Sequence, residues 1–273
     1  MIFPDFYTPQ VMAIINVTDD SFYSGSRGVD AAGIEGRVTL AVESGATILD
    51  IGGCSTRPGS ESVPVEVEWQ RVERGITIAR KVSADIAISV DTFRSEIVSR
   101  VVDKFGAVIV NDISAGEADD CMFDTVAKLG LPYIAMHMRG RPTTMQSLTE
   151  YDDIVEEVSE YLFSRAEALE KLGVKRENII LDPGFGFAKS VEQNYSLLAN
   201  LDKITSRGYA VLVGLSRKSM IYKPLGITPE ESLAVTSALN LQALRGGATI
   251  LRVHDVKDAV QIVSIYDKGF KHI

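Results

Sequence analysis

The sequence has few cysteines, few histidines, one tryptophan and no long apolar run. Cys54 and Cys121 stand far apart, so there is neither a disulfide framework nor a cysteine spacing that suits zinc, and a reducing compartment is expected. No zinc constellation, nucleophile elbow or Ser/His/Asp arrangement is legible. No apolar run reaches bilayer length, and the opening MIFPDFYTPQ has no basic segment before Arg27. Neither membrane insertion nor secretion is therefore expected, and the cytoplasm is the expected location. Positive charge is scarce as well. Lys and Arg total 28 against 37 Asp and Glu, a net charge of −9. This argues against non-specific nucleic-acid binding and requires any anionic ligand to be held by a local basic cluster.

What is present is a regular alternation. Short continuous apolar runs occur at Val11–Ile15, Thr47–Ile51, Ile86–Val90, Val108–Val110, Tyr133–Met136, Ile179–Leu181, Ala210–Val213 and Ile250–Val253. Such runs fit strands buried on both faces. Amphipathic segments lie between them, among them Ala31–Ser44, Val65–Val82, Ser95–Lys104, Tyr151–Leu172, Val191–Ser206 and Pro229–Arg245. Ser190 with Gln193 and Thr228 with Glu231 read as capping boxes, and Pro229 suits a first helical position. Gly45, Gly106, Gly130, Gly173, Gly208 and Gly246 stand where helices should stop. Eight βα units without a compositional break, over residues 1–273, predict a single TIM (β/α)8 barrel domain. The alternative, a doubly wound open sheet, lacks a G-x-G-x-x-G after the first strand and any Walker A lysine.

Barrel enzymes carry their chemistry at the C-terminal ends of the strands. Here every predicted strand runs into polar residues: Asn16 through Ser21, the stretch DIGGCSTRPGS from Asp50, Asp91, Asn111 with Asp112, His137 with Arg139, Asp182, Ser216 through Ser219, and Arg252 with His254. The opposite ends carry glycine and ordinary turn residues. Asp50, Asp91, Asn111 and Asp182 end apolar strands and should be buried, so they need donors. A heterocycle bearing several N–H groups would supply them, and so would neighbouring loop amides. GLSRKSM places Lys218 beside residues from Ser216 that could open a short helix and favour an anion. It could equally be a solvated basic turn. Arg252 and His254 share one side of a strand and could grip phosphate oxygens, although a strand histidine can be purely structural. Asp19 and Asp20 near Asn16 could attract a divalent cation or simply form a turn.

Taken in order, MAIINVTDDSF, DIGGCSTRPG, SVDTFR, VNDISAG, HMRGRPTTMQ, LDPGFGFAK, LVGLSRKSMI and LRVHDV, spanning Met12 to Val256, resemble the strand-end motifs of the dihydropteroate synthases. The resemblance implies a TIM barrel, usually a homodimer, that joins 6-hydroxymethyl-7,8-dihydropterin diphosphate to 4-aminobenzoate with Mg²⁺ assisting. Carried over by residue, it implies a pterin pocket of Asp91, Asn111, Ile113, Met136, Asp182, Gly214 and Lys218. It implies diphosphate contacts from Asn16, Arg57, Arg252 and His254, with Asn16 at the metal. Phe22, Thr56, Arg57, Pro58, Phe187 and Ser219 would surround the aminobenzoate. Asn16, Lys218, Arg252 and His254 would carry catalysis. Ala13, Asp19 and Cys54 depart from residues common in the family. Two rivals are a pterin-dependent methyltransferase barrel, which would not need the Ser-Thr-Arg-Pro loop or the Arg252/His254 pair, and a non-catalytic paralogue, which should have lost ligands.

Overall fold

A computed structural model describes residues 3–18, 27–54 and 63–269. Eight parallel strands close into a barrel in chain order. They are β1 Gln10–Asn16, β2 Ile48–Gly52, β3 Ala87–Asp91, β4 Ile109–Asp112, β5 Tyr133–Met136, β6 Ile179–Asp182, β7 Ala210–Val213 and β8 Ile250–Val253. The last strand pairs with the first, with Met12 opposite Arg252. The helices that return the chain are α1 Arg27–Glu43, α2 Val65–Val82, α3 Ser95–Phe105, α4 Met122–Leu129, α5 Ile154–Lys171, α6 Val191–Ala199, α7 Leu201–Thr205, α8 Ser219–Leu225, α9 Leu233–Arg245 and α10 Val256–Gly269.

The two-residue period of the strands sorts side chains between two cores. Leu49, Ile51, Ile88, Val90, Val110, Leu181, Val211 and Leu251 face outward and pack with buried helix residues such as Ile34, Val72, Ile97 and Leu162. The inward set begins with Ile48, Ala87, Ile109, Ile134, Ile180, Leu212 and Ile250, plugged from below by Phe6. Burying each of the larger side chains contributes about 1.5–3 kcal/mol, so this base is the rigid floor of the barrel. Two residues further along the same inward faces stand Asp50, Ser89, Asn111, Met136, Asp182, Gly214 and Arg252. The apolar floor therefore fixes which polar residues point into the barrel mouth.

Several element boundaries differ from the sequence expectation, each for a local reason. Strands β2, β3, β4 and β6 continue beyond the last apolar residue through Gly52, Asp91, Asp112 and Asp182. The ladder continues there because Gly52 pairs with Asp91 and Asp91 with Asn111. Helix α5 begins at Ile154 because Asp153 Oδ1 caps it, accepting from Val155 N at 2.9 Å and Glu156 N at 3.1 Å. The segment expected as one helix over Val191–Ser206 splits at Asn200, whose backbone N and Nδ2 both donate to Ser196 O. The segment opening at Pro229 makes one 3₁₀ turn before α9. The short helix expected from Ser216 begins at Ser219, because Arg217 adopts a left-handed φ of 56° and is tied to Asp255. The Ser190–Gln193 capping box forms as expected. Thr228 and Glu231 also bond reciprocally. Gly246 has φ −77° and it is Gly247, at φ 92°, that reverses the chain before β8.

Candidate active site

The polar layer above the floor is one connected network. Asp50, fully buried on β2, accepts from Asn111 Nδ2 at 3.0 Å and from Arg252 Nε at 2.7 Å on the same oxygen. Arg252 Nη2 donates to Asp91 Oδ2 at 2.9 Å. Register explains the meeting: Gly52, Asp91 and Asn111 lie level on adjacent strands, and Asp182 lies level with Met136. Asp50 Oδ1 and Ser89 Oγ, also cross-strand neighbours, have no hydrogen-bond partner among the described residues. Asp112, adjacent to Asn111, faces the other way. It accepts from Ser114, Gly116 and Tyr133 and is a structural carboxylate of the β4 loop.

A cavity open at its mouth sits on this layer. Asp91, Asn111, Asp182, Lys218 and Arg252 supply its polar wall. Ile113, Met136, Gly214, Phe185 and Phe187 supply the apolar wall. Lys218 Nζ stands 4.4 Å from the centroid of the Phe187 ring, so the two form a paired edge of the mouth. Gly184 and Gly186 bend the β6 loop around the cavity at φ 68° and 80°. At Gly184 the need is absolute, since an added Cβ would lie 2.0 Å from His137 O.

The electrostatics follow from burial. Desolvation, opposed by Arg252 and reinforced by Asp50, pushes the Asp91 carboxyl up to about 7. Burial also raises Asp182, against the Gly184 N–H and the charges of Lys218, Arg252 and Lys189. Burial lowers Lys218 to about 8, with Asp182 opposing and Arg252 assisting. Against its own burial, Arg252 is held above its ordinary value by Asp50 and Asp91. His254 stands at the exposed rim but is partly desolvated by the protein around its ring, and this together with the nearby Arg252 and Arg217 lowers it, so its imidazole is neutral at pH 7.

Of the residues singled out in the sequence, Asp91, Asn111, Ile113, Met136, Asp182, Gly214, Lys218, Phe187 and Arg252 converge on this one cavity. Ser219 opens α8 directly after Lys218. Asn16 ends β1 exposed at the rim, its carbonyl accepting from Arg37 Nη2 at 3.1 Å. His254 does not line the cavity. It stands past the end of β8, exposed, with Nδ1 3.1 Å from Ser216 Oγ. Phe22, Thr56, Arg57 and Pro58, like Asp19 and Asp20, lie outside the described residues. Cys54 is buried, and burial raises its thiol. Sequence reasoning missed two buried groups. Glu68 on α2 accepts from Thr92 Oγ1 at 2.6 Å and pairs with Arg94, whose Nη2 reaches Val63 O at 2.7 Å. This clamp, with Arg71 Nη1 on Gly53 O at 3.1 Å, holds both ends of the segment between β2 and α2. Lys189 is buried behind the β6 loop against His137. Neither group follows from periodicity, because each sits at a position that looks like an ordinary charged surface residue.

Fold and site together define a TIM-barrel enzyme with a charged pocket at the C-terminal ends of its strands. A profile of the family described as "Pterin binding enzyme" matches residues 12–254. The dihydropteroate synthase of Escherichia coli strain K12 is 41% identical over 265 residues, covering 96% of this chain and 92% of that protein. A Xanthomonas albilineans dihydropteroate synthase solved with 4-aminobenzoic acid superposes with a TM-score of 0.87 at 39% identity, covering 96% of this chain and 93% of the other. The Yersinia pestis enzyme in a sulfonamide drug complex superposes at 0.90 with 35% identity, covering 98% and 96%. The chain belongs to the pterin-binding enzyme family, in its dihydropteroate synthase branch, the transferases of folate synthesis.

Proposed function

We propose that the chain condenses 6-hydroxymethyl-7,8-dihydropterin diphosphate with 4-aminobenzoate, releasing diphosphate, and that the cavity above the barrel floor is the pterin site. The observation that carries this reading is the convergence of Asp91, Asn111, Asp182 and Lys218 on one cavity. A pterin ring presents N–H donors to carboxylates and ring acceptors to an amide and an ammonium, so this donor and acceptor set complements it. Met136, Ile113 and Phe187 supply apolar faces for the ring.

The ring so placed would direct its methylene diphosphate toward the mouth, where Arg252, Asn16 and His254 stand. Neutral His254 can donate one hydrogen bond without adding a charge. Departure of the diphosphate leaves positive charge on the methylene carbon, and the weakly nucleophilic aniline nitrogen then forms the C–N bond. Each well-aimed donor to the leaving group is worth about 3–4 kcal/mol in such a step. Asp91 and Asp182 face the ring as that charge grows and stabilise it. Phe187, on which the pterin-site Lys218 packs, and Ser219 would form the aminobenzoate side of the mouth together with Phe22, Thr56, Arg57 and Pro58. The scheme needs no strong general base.

Mg²⁺ fits this arrangement in a limited way. Among the described residues no group of three or more His, Cys, Asp or Glu could hold a metal ion. Asn16, however, offers an exposed amide oxygen beside the expected diphosphate, and Mg²⁺ commonly takes one protein oxygen with phosphates and water. When bound, it would neutralise charge on the leaving diphosphate. A homodimer is part of the same reading. It is supported by exposed apolar residues on neighbouring helices, Leu225 on α8 and Tyr195 on α6. The cytoplasm is the proposed location. No helix among the described residues is long and apolar enough to cross a membrane.

The test is aminobenzoate-dependent diphosphate release by the purified protein with Mg²⁺ present, inhibited competitively by a sulfonamide. Absence of release, or release indifferent to aminobenzoate, would overturn the reading.

A further inference from the structure

Lys189 lies behind the pocket wall, 6% exposed, and the scheme above does not use it. Its Nζ is 2.9 Å from His137 Nδ1, 3.0 Å from Gly184 O and 2.9 Å from Phe187 O. An ammonium has three protons and no lone pair, so three acceptors at these distances match its charged form. His137 Nδ1 must then accept, which leaves the ring proton on Nε2. Burial, with Lys189 and Arg139 nearby, holds the imidazole down at about 2, so His137 stays neutral. Among the described residues no carboxylate lies within ion-pair distance of Lys189. A buried cation without a direct counter-charge is costly: burial lowers Lys189 to about 7, with Asp182 opposing, and the surrounding acceptors compensate the full charge below that pH. Two of the compensating carbonyls belong to the loop that walls the cavity. That loop is fixed further by Gly186 N donating to Asn194 Oδ1 at 2.7 Å and Gly184 N donating to Asp182 Oδ1 at 2.7 Å.

We propose that Lys189 is a positioning residue for the pterin: from behind the pocket its ammonium holds the Gly184 and Phe187 carbonyls and so fixes the wall against which the ring would lie. The inference rests on the pterin reading of the cavity. The charged groups that face Asp182 are Lys218, Arg252 and Lys189, and those that face Lys189 are Asp182, Lys218 and Arg139. Removing Lys189 thus takes away one of three cations around Asp182. The carboxyl should then hold its proton to higher pH.

The experiment is calorimetric binding of 6-hydroxymethylpterin between about pH 4.5 and 7.5 to wild type, Lys189→Met and Lys189→Gln. Binding to wild type is established first, and its absence would sink the pterin reading without bearing on Lys189. The expected result is roughly tenfold weaker binding near pH 5, with the acid limb moved up by about one pH unit in both variants, the size of shift one nearby charge produces, and a gap to wild type that narrows as pH rises through about 7, where Lys189 loses its own charge. Wild-type affinity in Lys189→Met would overturn the proposal. So would affinity lowered equally at every pH with the limb unmoved, since that is the signature of packing alone. If Lys189→Met does not fold, Lys189→Gln, which keeps two donors without the charge, carries the same comparison. Failure of both to fold would overturn the proposal by making Lys189 a requirement of the barrel rather than of the pocket.

Discussion

Arg252→Met isolates the charge balance of the polar layer. Arg252 is the one cation in hydrogen-bond contact with Asp50 and Asp91 among the described residues, at 2.7 and 2.9 Å. Methionine fills similar space but leaves two buried carboxylates facing each other. Severing a buried pair from one side costs about 3–5 kcal/mol. An independent limit comes from protonation. A carboxylate forced neutral at pH 7 from an ordinary value of 3.8 costs about 4 kcal/mol, at about 1.4 kcal/mol per unit. The two figures agree, because the variant can relieve its repulsion by taking up a proton.

The pH dependence separates this account from simple loss of packing. Asp91 is raised in the folded protein to about 7. A raised carboxyl contributes stability that is full below its unfolded value and lost as pH rises through the folded one. Without Arg252 the folded value of Asp91 rises further, so the loss extends above pH 7. The difference in unfolding free energy between wild type and Arg252→Met should therefore widen with pH, by about 1.4 kcal/mol from pH 5 to pH 8, nearly all of it above pH 7. Urea denaturation at several pH values, followed by circular dichroism, measures it. A difference that stays constant across that range would refute the reasoning. Diphosphate release by the folded variant should fall by about 10²–10³, the loss expected for one leaving-group donor.

Other changes test other parts of the site. Lys218→Met should weaken pterin binding by about 1.5–3 kcal/mol, the worth of a hydrogen bond from a charged donor. In wild type the same affinity should decline as pH rises through about 8, where Lys218 loses its proton, and titration calorimetry should find that limb missing in the variant. Gly184→Ala puts a methyl 2.0 Å from His137 O at φ 68° and should cost at least about 3 kcal/mol by thermal unfolding, or abolish folding. Ser190→Ala removes the α6 cap and should cost about 1 kcal/mol by the same measurement.

Much of the barrel was legible because its strands are buried on both faces and its helices on one. Continuous apolar runs such as Ile179–Leu181 can hardly be anything but interior strand, and each is followed by a turn residue that a helix requires. The polar strand ends were legible for the opposite reason: Asp91, Asn111 and Asp182 contradict the apolar pattern that surrounds them. Lys189 and Glu68 carry no such contradiction, since a lysine before a helix cap and a glutamate in a first helical turn are unremarkable in sequence. Only the packing of β5 and β6 against the loop, or of α2 against β3, turns them into buried charges. The separation of His254 from Arg252 was hidden for a related reason. Alternation gives both the same side of a strand, but β8 ends at Val253 and the next residue follows the loop.

The same alternation explains why the polar layer tolerates its charges. Each inward strand position above the floor is fixed by an apolar neighbour two residues earlier, so the side chains cannot rotate away to water. The layer then holds the carboxylates of Asp50, Asp91 and Asp182 against the cations Arg252 and Lys218, one negative charge in excess. That excess is accommodated by a proton shared with Asp91, whose value of about 7 places it midway in titration at neutral pH. A ring with an N–H donor directed at Asp91 offers the carboxylate a hydrogen bond in place of that proton. The buried carboxyl that costs the barrel stability is therefore, under the proposed pterin reading, the group that would favour a donor-rich ring.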